Sequence, residues 1–369
     1  MKKDTHCSRL LLATAVISVV AVILTASRST TVKTDCYEIQ RNAYIRMEGC
    51  MNAVLGYKRE LGIPLLEEDV NKTGLLGEPF NGITTTIGLL EAKRTTADPN
   101  MAALIVRMMQ EAGLKSGDIV CGNFSGSFPS LNIAVLTACD AMDIDIYYLT
   151  SVGSSTYGAN NPQLTFPEMA HRLYSDGFIK HNSIMVTAGG DYDVGTEMDQ
   201  EILNAIKARI TKNGLYWYEE RDFERNLKYK KAMLDSFSPS CFISAGGNIS
   251  SMGIGADSEN HPQGLVIPVI STRFKDYKSG LIDRYLADGK SVINLLNVKE
   301  IVADYGMPFD SMKIAPAGSG NVFLKKFFSH SVIILSFIAV FLPLIGCALI
   351  RRQKLNAAKK QSEEILKKS

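Results

Sequence analysis

DIVCGNFSGSFPSLNIAVLTACDAMDIDIYYLTSV, residues 118–152, decides how this chain folds. Its first seven residues, 118–124, are nearly all apolar, the pattern of a strand buried on both faces. Ser125-Gly126-Ser127 interrupts the run. Residues 128–142 then read as a helix with Pro129 in its first turn, where the missing N–H does no harm. DIYYLTSV at 145–152 is a second buried strand. Strand, short turn, helix and strand make a crossover unit, and such a unit joins parallel strands.

The same alternation extends both ways. A long helix is expected over 36–61, a short strand over 84–90, and a helix over 99–113 with Asp98 as its N-cap and Pro99 in its first turn. Downstream, helices are expected at 167–177, 195–213, 221–236 and 277–288, with strands at 183–188, 241–245 and 292–298. The fold class is therefore α/β, a mostly parallel sheet with helices on both faces in a Rossmann-like three-layer arrangement.

The ends of the chain differ from this middle. Residues 10–27 and 327–350 contain no Asp, Glu, Lys or Arg. About 20 apolar residues suffice to cross a hydrocarbon core, so both read as transmembrane helices. The first lacks a clear cleavage site and reads as a retained anchor, a cleaved signal peptide being the alternative. Residues 1–9 carry three basic side chains against one acid, and 351–369 carry seven against two. By the positive-inside rule both tails are cytoplasmic, and 28–326 is an extracytoplasmic α/β domain. The localisation that follows is a two-pass protein of the cell membrane. The net charge of the 369 residues is +2, which gives no general affinity for nucleic acid. Seven cysteines are too few for a disulfide scaffold. The five in the middle, Cys36, Cys50, Cys121, Cys139 and Cys241, read as reduced core thiols, and no Cys/His spacing fits a metal.

In a parallel sheet, ligands sit beyond the carboxyl ends of the strands. Four expected strands end in Gly/Ser turns: Ser125-Gly126-Ser127, Gly153-Ser154-Ser155, Gly189-Gly190 and Gly246-Gly247-Asn248. Backbone amides at such turns can approach an anion closely. Lys93 and Arg94 are the cations expected to assist. None of the turns follows a dinucleotide or Walker pattern, so no cofactor is expected. Candidates for catalysis are Ser125 and Ser127 with His261 as base, or Asp191 and Asp193 as an acid and base pair; neither serine has the glycine spacing of a nucleophile elbow.

NKTGLLG at 71–77, ITTTIGLLEAKRTTADPN at 83–100, SGSFPSLNIAVLTAC at 125–139, SVGSSTYGANNP at 151–162 and AGGDYDVG at 188–195 together resemble the poly-γ-glutamate system protein family. These are bacterial membrane proteins that accompany the synthesis of that capsule-type polymer. The resemblance covers roughly 70–310 and implies a pathway, but no catalytic residue. What it implies is an accessory component of poly-γ-glutamate synthesis or export. Its partners would be the synthase membrane subunits, the anionic polymer and the bilayer. Two alternatives stay open: an extracytoplasmic hydrolase or transferase acting on γ-glutamyl bonds, and a non-catalytic scaffold whose anchors pack on the synthase.

Overall fold

A computed structural model describes residues 5–254, 261–269 and 276–368 of the chain. From the amino end come α1 (Thr5–Ser27), β1 (Thr30–Lys33), α2 (Tyr37–Glu60), β2 (Thr84–Thr86), α3 (Leu90–Thr96), α4 (Asn100–Glu111), β3 (Ile119–Phe124), α5 (Pro129–Met142), β4 (Asp145–Ser151) and β5 (Ser154–Ser155). Next are α6 (Phe166–Ser175), β6 (Met185–Thr187), α7 (Gln200–Lys212), α8 (Phe223–Asp235), β7 (Cys241–Ala245), α9 (Ile249–Met252) and β8 (Gly264–Val266). The chain continues with α10 (Leu281–Ala287), β9 (Ser291–Leu295), α11 (Val298–Asp304), β10 (Leu324–Phe327) and α12 (His330–Lys368).

The chain divides into two compact units, one formed by its two ends and the other by residues 34–323. In the end unit, Thr30–Lys33 pairs antiparallel with Leu324–Phe327. Among the described residues two stretches are long and apolar enough to cross a membrane, Arg9–Ser27 within α1 and His330–Lys360 within α12. Few of their side chains are buried, unlike those of a core helix. The two helices pack together. Ser18, Ala21 and Thr25 of α1 face Ser336 and Phe337 of α12. The hydroxyls of Thr25 and Ser336 lie 3.4 Å apart. Small residues that let helices approach closely are thus used within this chain.

Residues 34–323 are built on a six-stranded sheet of order β6-β4-β3-β7-β9-β8. Five strands are parallel; the edge strand β8 runs antiparallel to β9. The strands alternate between two hydrophobic clusters, as a sheet covered on both sides requires. Val120, Tyr148, Ile243 and Ile293 join the residues of α2, α4, α5 and α6. Cys121, Leu149, Phe242 and Val292 join those of α8 and α10, where the Phe242 and Tyr285 rings stack at 4.6 Å. Full burial of one such side chain is worth about 1.5–3 kcal/mol. The sequence also supplies the caps. Thr165 and Glu168 form a capping box on α6, and Asp199 accepts from the Glu201 and Ile202 amides at the start of α7. Asp98 accepts from the Asn100 amide, although α4 itself begins one residue beyond Pro99.

From β3 the chain adds β4 and β6 on one side, then crosses to β7 and β9 on the other. The order therefore reverses between β3 and β7. At such a point the connections leave in opposite directions and open a crevice at the carboxyl edge.

Candidate functional site

A cleft of about 500 Å³ lies at that edge. Ser125 and Ser127 after β3, Ser151 and Gly153 around the end of β4, Gly190 and Asp191 after β6, and Gly247 and Asn248 after β7 all line it. All four expected turns thus contribute. Thr85, Thr86 and Glu197 complete the polar wall, and Ile249, Met252, Ile254 and Leu296 supply an apolar one. Among the described lining residues, the ionisable side chains are Asp191 and Glu197, both exposed carboxylates.

The serine turn is held by its own hydroxyls. The Ser125 amide donates to Ala245 O at 3.0 Å, tying the turn to β7. Ser125 Oγ donates to Ser127 Oγ at 3.0 Å and accepts from the Ser127 amide at 3.1 Å. Ser127 Oγ also accepts from the Ser155 amide at 3.0 Å. Gly126 is required by close approach: a β-carbon there would stand 2.8 Å from Val152 O and 2.9 Å from Gly153 O. Gly189, Gly190 and Gly246 have φ of +78°, +69° and +80°, so the turns after β6 and β7 also use backbone that side chains resist.

Asp191 and Asp193 do not converge. Asp191 is exposed in the cleft wall, and its amide donates to Glu197 Oε1 at 2.9 Å. Asp193 points the other way and is 2% exposed. Its Oδ1 accepts from Thr187 Oγ1 at 2.8 Å. Its Oδ2 accepts from Lys230 Nζ at 2.5 Å and Asn226 Nδ2 at 3.2 Å. Lys230 also donates to Ser250 Oγ at 3.0 Å. Asn123 in β3 continues the network, donating to Asn248 Oδ1 at 2.7 Å and to Ser250 Oγ at 2.9 Å. This buried polar chain joins β6, α8, α9 and β3 behind the cleft. An asparagine inside the apolar run DIVCGNF was the signal in the sequence; Lys230 and Asn226, on the surface-like helix 221–236, gave none.

His261 forms an ion-pair contact with Asp283, Nε2 to Oδ1 3.2 Å, and is not among the described residues that line the cleft. Neither Ser125 nor Ser127 is hydrogen-bonded to it. Arg94 also lies outside the lining. It grips Asp310 bidentately, both contacts 2.7 Å, and so fastens α3 to the segment after α11. Mutual attraction and paired hydrogen bonds raise the Arg94 pKa and lower that of Asp310. Lys93 is 2% exposed and sits behind the cleft wall. Its Nζ donates to Ser155 Oγ at 2.7 Å and to the Ser127 carbonyl, and lies 3.6 Å from the Phe128 ring centroid. Burial lowers its pKa from the ordinary 10.5 to about 7. The positive focus expected from Lys93 and Arg94 is therefore directed elsewhere, one cation being buried and the other neutralised by Asp310.

The five domain cysteines are free and buried, and burial raises their thiol pKa values, which keeps them unreactive. No family model, curated protein or solved structure matches the chain.

Proposed function

We propose that this chain is a membrane-anchored accessory component of poly-γ-glutamate synthesis or export. The family resemblance of the 71–195 motifs supports the pathway. In this reading the middle is a three-layer Rossmann-like domain held outside the cell, with both termini in the cytoplasm. The basic residues that follow the apolar part of α12, Arg351, Arg352, Lys354, Lys359 and Lys360, support that orientation. The synthase membrane subunits would pack against the anchors.

The observation that carries the binding role is the cleft at the strand-order reversal, whose polar wall combines serine and threonine hydroxyls, glycine turns and the carboxylates of Asp191 and Glu197. A run of glutamate carboxylates meets repulsion at such a wall. The amino end of a γ-linked chain does not, because it carries an ammonium beside a carboxylate. The ammonium pairs with Asp191 and Glu197; the carboxylate takes hydrogen bonds from serine and threonine hydroxyls and turn amides. The cleft thus engages the polymer by its end. Deleting the protein from a producing cell is expected to change the amount or chain length of cell-associated and released polymer. Unchanged amount and length in both fractions would remove the pathway assignment.

A further inference from the structure

We propose that Ser155 and Lys93 form a nucleophile–base pair that attacks an amide carbonyl, making the carboxyl edge of the sheet a site of acyl transfer or hydrolysis. The inference stands on the pair's geometry and does not need the substrate to be a glutamyl chain.

Among the described residues three lysines are buried: Lys58, Lys93 and Lys230. Lys230 is neutralised by Asp193. Lys58 donates to Leu76 O; burial lowers its pKa to about 8, and Asp69 and Glu78 oppose that shift by favouring the cation. Lys93 has no such support. Its contacts are a hydroxyl, a carbonyl and an aromatic face, and burial alone acts on its ionisation. On its own helix Glu91 is exposed and Arg94 is taken by Asp310. Elements packed against it, β5 and the start of α5, present serines and Phe128. A structural amine is normally buried with a carboxylate, since an unpaired buried charge is strongly unfavourable. A buried amine that loses its proton at about pH 7 and lies 2.7 Å from a serine hydroxyl is instead equipped to take that hydroxyl's proton.

Ser155 is placed for this role. Its amide is held by Ser127 Oγ, and it pairs in register with Thr86; both Ser127 and Thr86 line the cleft. The strap after Thr86 lies over the pair, fixed by Gly88 N to Thr156 Oγ1 at 2.8 Å and Thr156 Oγ1 to Gly88 O at 3.1 Å. A β-carbon on Gly88 would stand 2.8 Å from Ser155 Oγ and 3.0 Å from Lys93 Cε, so the strap lies directly against the pair, and Ser155, 5% exposed, is reached when the strap lifts. Beside it, Ile87 and Leu89 are 92% and 69% exposed, and no large packing is lost if the strap lifts.

The step balances. Lys93 Nζ accepts the Ser155 proton as Oγ bonds to the carbonyl carbon. The C–N bond then breaks and the amine leaves with that proton. Water, giving a proton to Nζ, attacks the acyl-serine and releases a carboxylic acid; the serine oxygen recovers its proton. A second amine in place of water gives transfer.

The test is labelling of the full chain in detergent with a fluorophosphonate, which forms a P–O bond to an activated serine and expels fluoride. Peptide mass spectrometry is expected to find the adduct on Ser155, with a rate that rises through about pH 7 as Lys93 loses its proton. Ser155→Ala should abolish it. Lys93→Met and Lys93→Arg should each slow it on the order of 100-fold. Arginine keeps a donor and a charge but cannot act as a base, so slow labelling in both variants separates base catalysis from packing. Should a variant fail to fold, the wild-type pH profile still decides. No Ser155 adduct in folded wild-type protein, a rate independent of pH around 7, or an unchanged rate in a folded Lys93 variant would overturn the pair. None of these outcomes bears on whether the cleft binds glutamyl chains.

Discussion

Replacing Lys230 by methionine destabilises the unit of residues 34–323 by about 3–5 kcal/mol, read as a shifted denaturation midpoint of the full chain in detergent. The figure is large because the change strands Asp193, not because the ion pair is itself strong. Both groups are almost sealed from water, with side-chain exposures of 1% and 2%. Their mutual attraction is spent against the desolvation of each. Removing only the cation leaves a carboxylate with one hydroxyl and one amide as donors, from Thr187 and Asn226. The double variant Asp193→Asn/Lys230→Met should recover most of the loss. Asparagine suits the site, since residue 193 has φ of +68° and asparagine tolerates that conformation. A single variant as stable as wild type would mean that water reaches Asp193.

Lys93→Met gives an effect of opposite character. The folded pKa of Lys93 lies near 7, below the ordinary 10.5. Below about pH 7 the amine is protonated in both states, and the folded state bears the full penalty of burying it. As pH rises from about 7 toward 10.5 the unfolded chain holds a proton that the folded chain has lost, so stability rises with pH. From pH 6 to pH 9 wild type should gain about 2–3 kcal/mol relative to Lys93→Met, whose own stability carries no such dependence. Parallel curves for the two proteins across that range would place the Lys93 ammonium in contact with water. A destabilising residue kept in the interior is common where chemistry needs it.

The parallel sheet was legible because its strands are short apolar runs ended by glycine turns. DIVCGNF, read as 118–124, is β3 at Ile119–Phe124, and CFISA is β7. The four turns at the carboxyl edge follow from that alternation. Elsewhere the local pattern misled. TTTIGLL reads as a strand over 84–90, yet pairing stops at Thr86 and the chain becomes the strap over Ser155. LEAKRTT at Leu90–Thr96 is a helix that the sequence pattern did not announce. The strand expected to reach Val298 ends at Leu295, and Asn297 caps a helix instead. The edge strands Thr30–Lys33, Leu324–Phe327 and Gly264–Val266 are too short and too polar or glycine-marked to announce themselves.

Site residues divide in the same way. Turn glycines and serines are local features and can be read in order along the chain. Partnerships between distant side chains cannot. Nothing near Lys93 shows that its amine meets a serine 62 positions onward, or that Arg94 beside it turns to Asp310, 216 positions away. The histidine expected as a base, His261, is engaged with Asp283. The base that the fold places beside a serine is a lysine, and only its burial distinguishes it from the many that face solvent.

The ligand proposed for the cleft is the amino end of a γ-linked glutamate chain. Calorimetric titration of the full chain in detergent with a short γ-glutamate oligomer tests it, using the free-amine form and the same oligomer acetylated at its amino end. The free form is expected to bind, with acetylation and Glu197→Gln each weakening it by about tenfold, which is about 1.4 kcal/mol. Equal affinity for both oligomers, or heat unaffected by Glu197→Gln, would rule out the cleft as the seat of the polymer's amino end.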